Sequence, residues 1–145
     1  MRFAFLLAAC CFATIAFGDE EPKSILGTHF GSSSLTVCIA GDGRSIHAFS
    51  ASTGRWSHLE LQKALPGDAL SAASSEMAVI QTKDKIYAIG SRMKGWATLP
   101  LKTPQAEVSV GHSIQVKDGR LLFLIGADSE HWEGVDLDTG SVVLP

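Results

Sequence analysis

Cysteine is scarce in this chain, and two of its three cysteines fall where they cannot brace a fold. Cys10 and Cys11 lie in an apolar N-terminal leader, so the body of the protein keeps Cys38 alone. A single cysteine excludes an internal disulfide, and the fold must rest on a noncovalent core. No histidine or basic residue adjoins Cys38 in sequence to activate its thiol, which reads as a small apolar residue within Val37-Cys38-Ile39. Basic runs are also missing. Nucleic-acid binding needs several phosphate-neutralising cations on one surface, and the few here are scattered, so nucleic acid is not expected as a partner. No Gly-x-Ser-x-Gly elbow, glycine-rich phosphate loop, Cys-x-x-Cys pair or helix-spaced histidine pair occurs. The longest apolar run, Phe3 to Phe17, is short of the roughly 20 residues that a spanning helix needs.

That run, with Arg2 before it and Asp19-Glu20-Glu21 after it, reads as a cleaved signal peptide over residues 1–18. Ala16 and Gly18 supply the small residues a signal peptidase reads, which places cleavage between Gly18 and Asp19. Leu7-Ala8-Ala9-Cys10 offers an alternative, lipid anchoring through Cys10. A secreted or periplasmic location follows from the first reading, with no stable membrane span after cleavage. Removing the leader leaves 127 residues, with 11 basic residues against 15 acidic ones and a formal charge of −4.

Residues 19–34 are small and polar and read as an N-terminal tail, with a weak outer-strand signal at Ile25-Leu26 and His29-Phe30. The remainder, 35–145, is an all-β repeat domain. In His112–Leu144 the turn signals Asp118-Gly119 and Asp138-Thr139-Gly140 separate runs too short for helices. Leu121–Ile125 and Trp132–Leu137 lie between those turns, so the stretch reads strand, turn, strand, turn, strand. Leu35–Leu61 reads the same way around Gly41-Asp42-Gly43 and Ser52-Thr53-Gly54. Gln62–Ser75 reads as a connector; a helix at Asp68–Ala73 capped by Asp68 would be under two turns with little apolar face. Met77–Leu101 repeats the first unit at a shift of 40, aligning Ile46 with Ile86, Ala48 with Ala88, Trp56 with Trp96, and Leu59 and Leu61 with Leu99 and Leu101. A shift of 86 relates the first unit to the last, 108–145, laying Leu121 on Leu35, Ile125 on Ile39, Asp128 on Asp42 and Thr139-Gly140 on Thr53-Gly54. The repeats, about 35–61, 77–101 and 108–145, are antiparallel meanders of three or four strands, with a period in the range of propeller blades.

These residues resemble the kelch family of β-propellers. His112-Ser113 with Lys117-Asp118-Gly119-Arg120-Leu121 and the strand to Ile125-Gly126 is similar to the opening half of a kelch blade. Phe49-Ser50-Ala51-Ser52-Thr53-Gly54-Arg55-Trp56 is similar to its closing half, and Lys85–Gly90 with Trp96–Pro100 to both compressed. The glycine doublet typical of the family is absent: Ala40-Gly41, Gly126-Ala127 and Gly90-Ser91 stand in its place. The resemblance implies a partial propeller of fewer than three blades, whose uncovered faces would be apolar patches that monomers seldom expose. Homo-oligomers completing a ring, a fragment of a longer protein, and a small β-sandwich or barrel all stay open as answers.

The candidate site residues are few. His29, His47, His58, His112 and His131 read as structural or surface residues, and Asp136-Leu137-Asp138 as a solvated turn in which Asp138 accepts backbone hydrogen bonds. Trp56 and Trp96 share a repeat position and read as packing residues. Trp132 falls outside that alignment and, with His131 and Glu130, is the candidate ligand contact. The loops Gly41–Ser45, Ser91–Gly95 and Ala127–His131 would present specificity, as loops on rigid scaffolds do. No catalytic, cofactor-binding or metal-ligating set emerges. The sequence thus points to an exported noncatalytic β-repeat module that binds a protein or carbohydrate. The alternative, implied by the kelch resemblance, is a fragment or subunit of a sugar-active enzyme.

Overall fold

A computed structural model describes residues 24–145; the leader, the Gly18–Asp19 cleavage position and Cys10 lie outside the described residues. Thirteen strands make three antiparallel sheets, each a meander in chain order. The first sheet holds β1 (His29–Gly31), β2 (Leu35–Ile39), β3 (Ser45–Ser50) and β4 (Arg55–Glu60). The middle sheet holds β5 (Leu70–Ala73), β6 (Met77–Gln81), β7 (Lys85–Gly90) and β8 (Ala97–Pro100). The third sheet holds β9 (Glu107–Val110), β10 (Ser113–Asp118), β11 (Leu121–Gly126), β12 (Glu133–Asp136) and β13 (Val142–Val143). The turns expected at Thr53-Gly54 and Asp118-Gly119 form as hairpin connections. Gly54 and Gly119 take φ of +64° and +63°, a conformation that costs a residue with a Cβ.

Two expectations are corrected. The kelch propeller is not formed: the three sheets are separate and open, with no closure into a propeller or a barrel. The reading as part of a kelch-like enzyme loses its architectural basis with it. The supposed connector is also part of the fold, because Leu70–Ala73 is β5, the first strand of the middle sheet. All four of its residues are exposed, so neither face imposes an apolar alternation; only the ladder to β6 (Leu70 opposite Gln81, Ala73 opposite Ala78) makes it a strand. The weak outer-strand signal at His29-Phe30 is realised as β1.

The register shows how the sheets correspond. Three cross-strand rows are equivalent on one side: Val37, Ala48 and Ser57 in the first sheet, Val79, Ala88 and Ala97 in the middle, and Gln115, Leu124 and Glu133 in the third. On the opposite side the equivalent rows are Cys38, His47 and His58, then Ile80, Tyr87 and Thr98, then Val116, Phe123 and Gly134. The step is 40 to 42 residues from first to middle sheet along these rows and 36 from middle to third. The shift of 86 therefore lays β2 on β11, a second strand on a third, and matches turn types rather than equivalent positions.

Burial follows from stacking order. The Val37 side of the first sheet packs on the Ile80 side of the middle sheet, and the Val79 side of the middle sheet packs on the Val116 side of the third. Strands β1 and β2 meet β5 and β6, and β6 also meets β9 and β10. Strand β6 is accordingly buried on both faces, from Met77 to Ile80, and reads as an unbroken apolar run. Leu35, Ile46, Ile86, Leu99, Ile114 and Ile125 are the largest of the fully buried side chains around it. The two outward faces are mixed: Gln115 and Glu133 stand where Val79 and Ala97 do, but beside Leu122, Leu124, Val135 and exposed Val142, while His47 and His58 stand where Tyr87 and Thr98 do.

Polar hooks join the sheets at the strand ends. Ser32 and Ser74 occupy the same turn in successive sheets; each hydroxyl caps its own turn by accepting from backbone N–H groups, and donates to the next sheet, to Ser75 O at 3.4 Å and Gly111 O at 2.6 Å. The Ser50 hydroxyl donates to Ser91 O, and Arg92 N donates to Ala127 O at 3.1 Å. The buried Asp118 carboxylate accepts from Lys102 N, Thr103 N and the Thr103 hydroxyl at 2.6, 2.9 and 2.6 Å, fixing the linker after β8 to the end of β10.

Two outcomes follow for stability. A Cβ at Gly90 would lie 2.5 Å from Ala127 O and 2.7 Å from its Cα, backbone that the neighbouring sheet holds in place. Gly90→Ala is expected to cost about 2 kcal/mol in urea denaturation, within the range for overpacking. Asp118→Ala strands two backbone donors and a hydroxyl, and is expected to cost about 2 to 3 kcal/mol by the same measurement.

Candidate binding face of the first sheet

Trp132, Glu130 and His131 do not make a surface site. Trp132 is 4% exposed, while Glu130 and His131 point to solvent and Glu130 pairs with Lys94 at 3.1 Å, a surface ion pair of small energetic weight. Register explains the burial. Trp96 and Trp132 immediately precede β8 and β12, one step past the last paired residues, in line with Ile89 and Ile125. Trp56 pairs with Phe49, the counterpart of Ile89. Trp132 thus stands at the same repeat position as the other two tryptophans, at a spacing of 36 that a uniform shift of 40 does not reveal. Trp96 and Trp132 lie on sides that face a neighbouring sheet: Trp132 is buried in the core, and Trp96 packs partly buried against it. Trp56 lies on the side that no sheet covers, and it is 62% exposed.

The exposed outer face of the first sheet gathers aromatic, imidazole, thiol and carboxylate side chains. Phe49 and Trp56 sit opposite each other on β3 and β4 with ring centroids 5.2 Å apart, and the His47 ring meets Trp56 edge-on at 6.4 Å. The next row across the four strands reads His29, Cys38, His47, His58. His47 Nδ1 and His58 Nδ1 are 3.3 Å apart. His58 Nε2 lies 3.3 Å from Glu60 Oε2, and that oxygen also accepts from the Ser45 hydroxyl at 2.9 Å. The hairpin turn centred on Ser52-Thr53 dictates these pairings, because residues equidistant from it stand opposite each other. That was the sequence signal able to place His47 against His58.

Beside Trp56 the first and middle sheets leave a cleft of about 110 Å³, lined by Ala48, Ser50, Arg55, Ser57, Ile89 and Met93 among others. A larger cleft, about 670 Å³, opens where β4 and its following loop (Leu61, Leu65) face Lys83, Asp84 and Tyr87. Burial, and then the Asp84 carboxylate, push the Tyr87 phenol above its ordinary range, so it stays a neutral hydrogen-bond donor there.

Other expected sites resolve into structure. Loops 91–95 and 127–131 are tied to each other by the Arg92–Ala127 and Lys94–Glu130 contacts, and Gly43 O in the 41–45 turn accepts from Leu65 N at 2.8 Å. In the 136–140 turn it is Asp136, not Asp138, that accepts: Oδ1 takes Asp138 N at 3.0 Å and Thr139 N at 3.3 Å, while Oδ2 faces Arg120 at 3.0 Å. That carboxylate is already engaged by its own turn, which removes the basis for a calcium loop. Exposed His112 pairs with Glu76 at 3.1 Å. Among the described residues no group of three or more His, Cys, Asp or Glu is arranged to hold a metal ion. No helix among them is long and apolar enough to cross a membrane.

The tryptophans give a direct check on this geometry. Trp132→Ala is expected to lose about 3 to 5 kcal/mol of stability through the cavity it leaves. Trp56→Ala removes mainly a cross-strand contact with Phe49 and is expected to lose under about 1 kcal/mol, both read from denaturant midpoints. Comparison with known proteins assigns no family: no protein-family model and no curated protein matches this chain.

Proposed function

We propose that this chain is an exported, noncatalytic carbohydrate-binding module, and that it binds through the outer face of its first sheet. The observation that carries the reading is Trp56, exposed at a repeat position where Trp132 is buried in the core and Trp96 packs partly buried against it. An uncovered face of a sheet stack would ordinarily be made polar throughout. Here the row through Thr36, Phe49 and Trp56 keeps its aromatic pair, while His47, His58 and Ser45 around it are hydrogen-bonding groups. A broad apolar partner surface would leave those polar groups unpaired. A sugar ring, with one apolar face and a rim of hydroxyls, matches both parts: the ring stacks on the indole, and the rim meets the imidazoles and hydroxyls. The cleft beside Trp56, with Arg55, Ser50 and Ser57 in its wall, extends the same mixture of surfaces. Strands hold these side chains on a rigid platform, so little ordering cost attends binding. The leader read at residues 1–18 puts the protein where extracellular or periplasmic glycans are met.

The test is affinity electrophoresis and calorimetry of the tag-free mature protein against a panel of neutral and acidic polysaccharides and their oligosaccharides. Retardation by at least one polysaccharide is expected, with Trp56→Ala weakening it about tenfold or more, equivalent to about 1.4 kcal/mol, and leaving the circular dichroism spectrum unchanged. Equal retardation of Trp56→Ala, or none of the wild type across the panel, would overturn the reading.

A further inference from the structure

We infer that His47 and His58 form a binding site for a zinc-class divalent transition-metal ion, with Glu60 as its positioning carboxylate. The inference is independent of what stacks on Trp56. Three observations carry it. First, the two Nδ1 atoms are 3.3 Å apart. An ion bonded to both at the usual zinc–nitrogen length of roughly 2.05 Å would subtend an N–metal–N angle of about 107°, close to tetrahedral. A cis pair at right angles with the same bond length would need nitrogens about 2.9 Å apart, so the spacing favours zinc over a square-planar ion.

Second, the rings converge at those atoms. Their centroids are 4.5 Å apart, farther than the two nitrogens, and their planes are tilted by 36°. The open side between them faces solvent, since both residues are exposed, so an ion can enter without moving the backbone.

Third, the outer groups are already in place. Metal-binding histidines commonly donate their second ring N–H to a carboxylate, which fixes the tautomer and raises the basicity of the ligating nitrogen. His58 Nε2 faces Glu60 Oε2 at 3.3 Å, and the Ser45 hydroxyl holds that oxygen at 2.9 Å. A small rotation of the exposed His58 ring would align its Nε2–H with Glu60, and the neutral ring then presents its Nδ1 lone pair toward His47. Without metal, that lone pair can accept the Nδ1–H of His47; a metal ion takes the place of the shared proton, and His47 turns the other tautomer toward it. Two imidazoles leave two tetrahedral positions for water or for donor oxygens of an incoming ligand.

Isothermal titration of tag-free, chelator-treated mature protein with zinc chloride tests the site. Saturable binding at one zinc ion per chain is expected. Glu60→Gln should weaken it about tenfold by removing the carboxylate partner, and His47→Ala and His58→Ala should each weaken it more than that. All three positions are exposed, and unchanged circular dichroism confirms that the variants fold. Trp56→Ala should keep zinc affinity, which separates this site from sugar stacking. Unchanged zinc affinity in the His47→Ala/His58→Ala double variant, or absence of saturable binding in the wild type, overturns the site; full affinity in Glu60→Gln overturns the role of Glu60.

Discussion

Everything in this molecule depends on one strand being buried from both sides. Strand β6 presents Met77, Ala78, Val79 and Ile80 to two different neighbours, and a strand without a polar side cannot lie at a surface. It therefore fixes the middle sheet between the other two, and the first and third sheets each need only one apolar side. With Cys38 unbridged among the described residues, this double burial carries the hydrophobic stabilisation that holds three otherwise marginal meanders together. Serine hydroxyls and the Asp118 carboxylate then tie the strand ends, where apolar contact thins out.

The same stacking order decides where chemistry can appear. Each sheet has a side that faces its predecessor, and in the middle and third sheets that side is occupied by packing: Tyr87 and Trp96 in one, Phe123 and Trp132 in the other. Among the described residues, no sheet covers the corresponding side of the first sheet. Its residues at those positions are His47, His58 and Trp56, so groups that would be structural elsewhere become available to ligands. The cross-strand ladder brings two imidazoles together although they are 11 residues apart in the chain, and a carboxylate two residues beyond the second one lies 3.3 Å from it.

Much of the local structure was legible in the residues themselves. Turn signals at Gly41-Asp42-Gly43, Thr53-Gly54 and Asp118-Gly119 marked hairpins, and the Ile46/Ile86 and Trp56/Trp96 matches identified true structural equivalents. The outer rows were harder to read. Leu70–Ala73 was obscure because an exposed edge strand has no buried side to impose a pattern. Trp132 looked unpaired because the spacing between equivalent strands shortens from about 40 to 36 between the second and third units, a change absorbed by the loops. The kelch resemblance rested on turn and tryptophan spacing, which many antiparallel meanders share, and carried no information on closure.

The sequence by itself determined the fold class and the hairpin turns, because these depend on residues close together along the chain and on the two-residue alternation of strands. Whether the sheets close, which tryptophan is covered and which histidines meet solvent were decided only in three dimensions. Those outcomes depend on which side of each sheet finds a neighbour. Trp56 and Trp132 occupy the same local setting, and only the presence or absence of a sheet in front makes one a candidate ligand platform and the other a piece of the core.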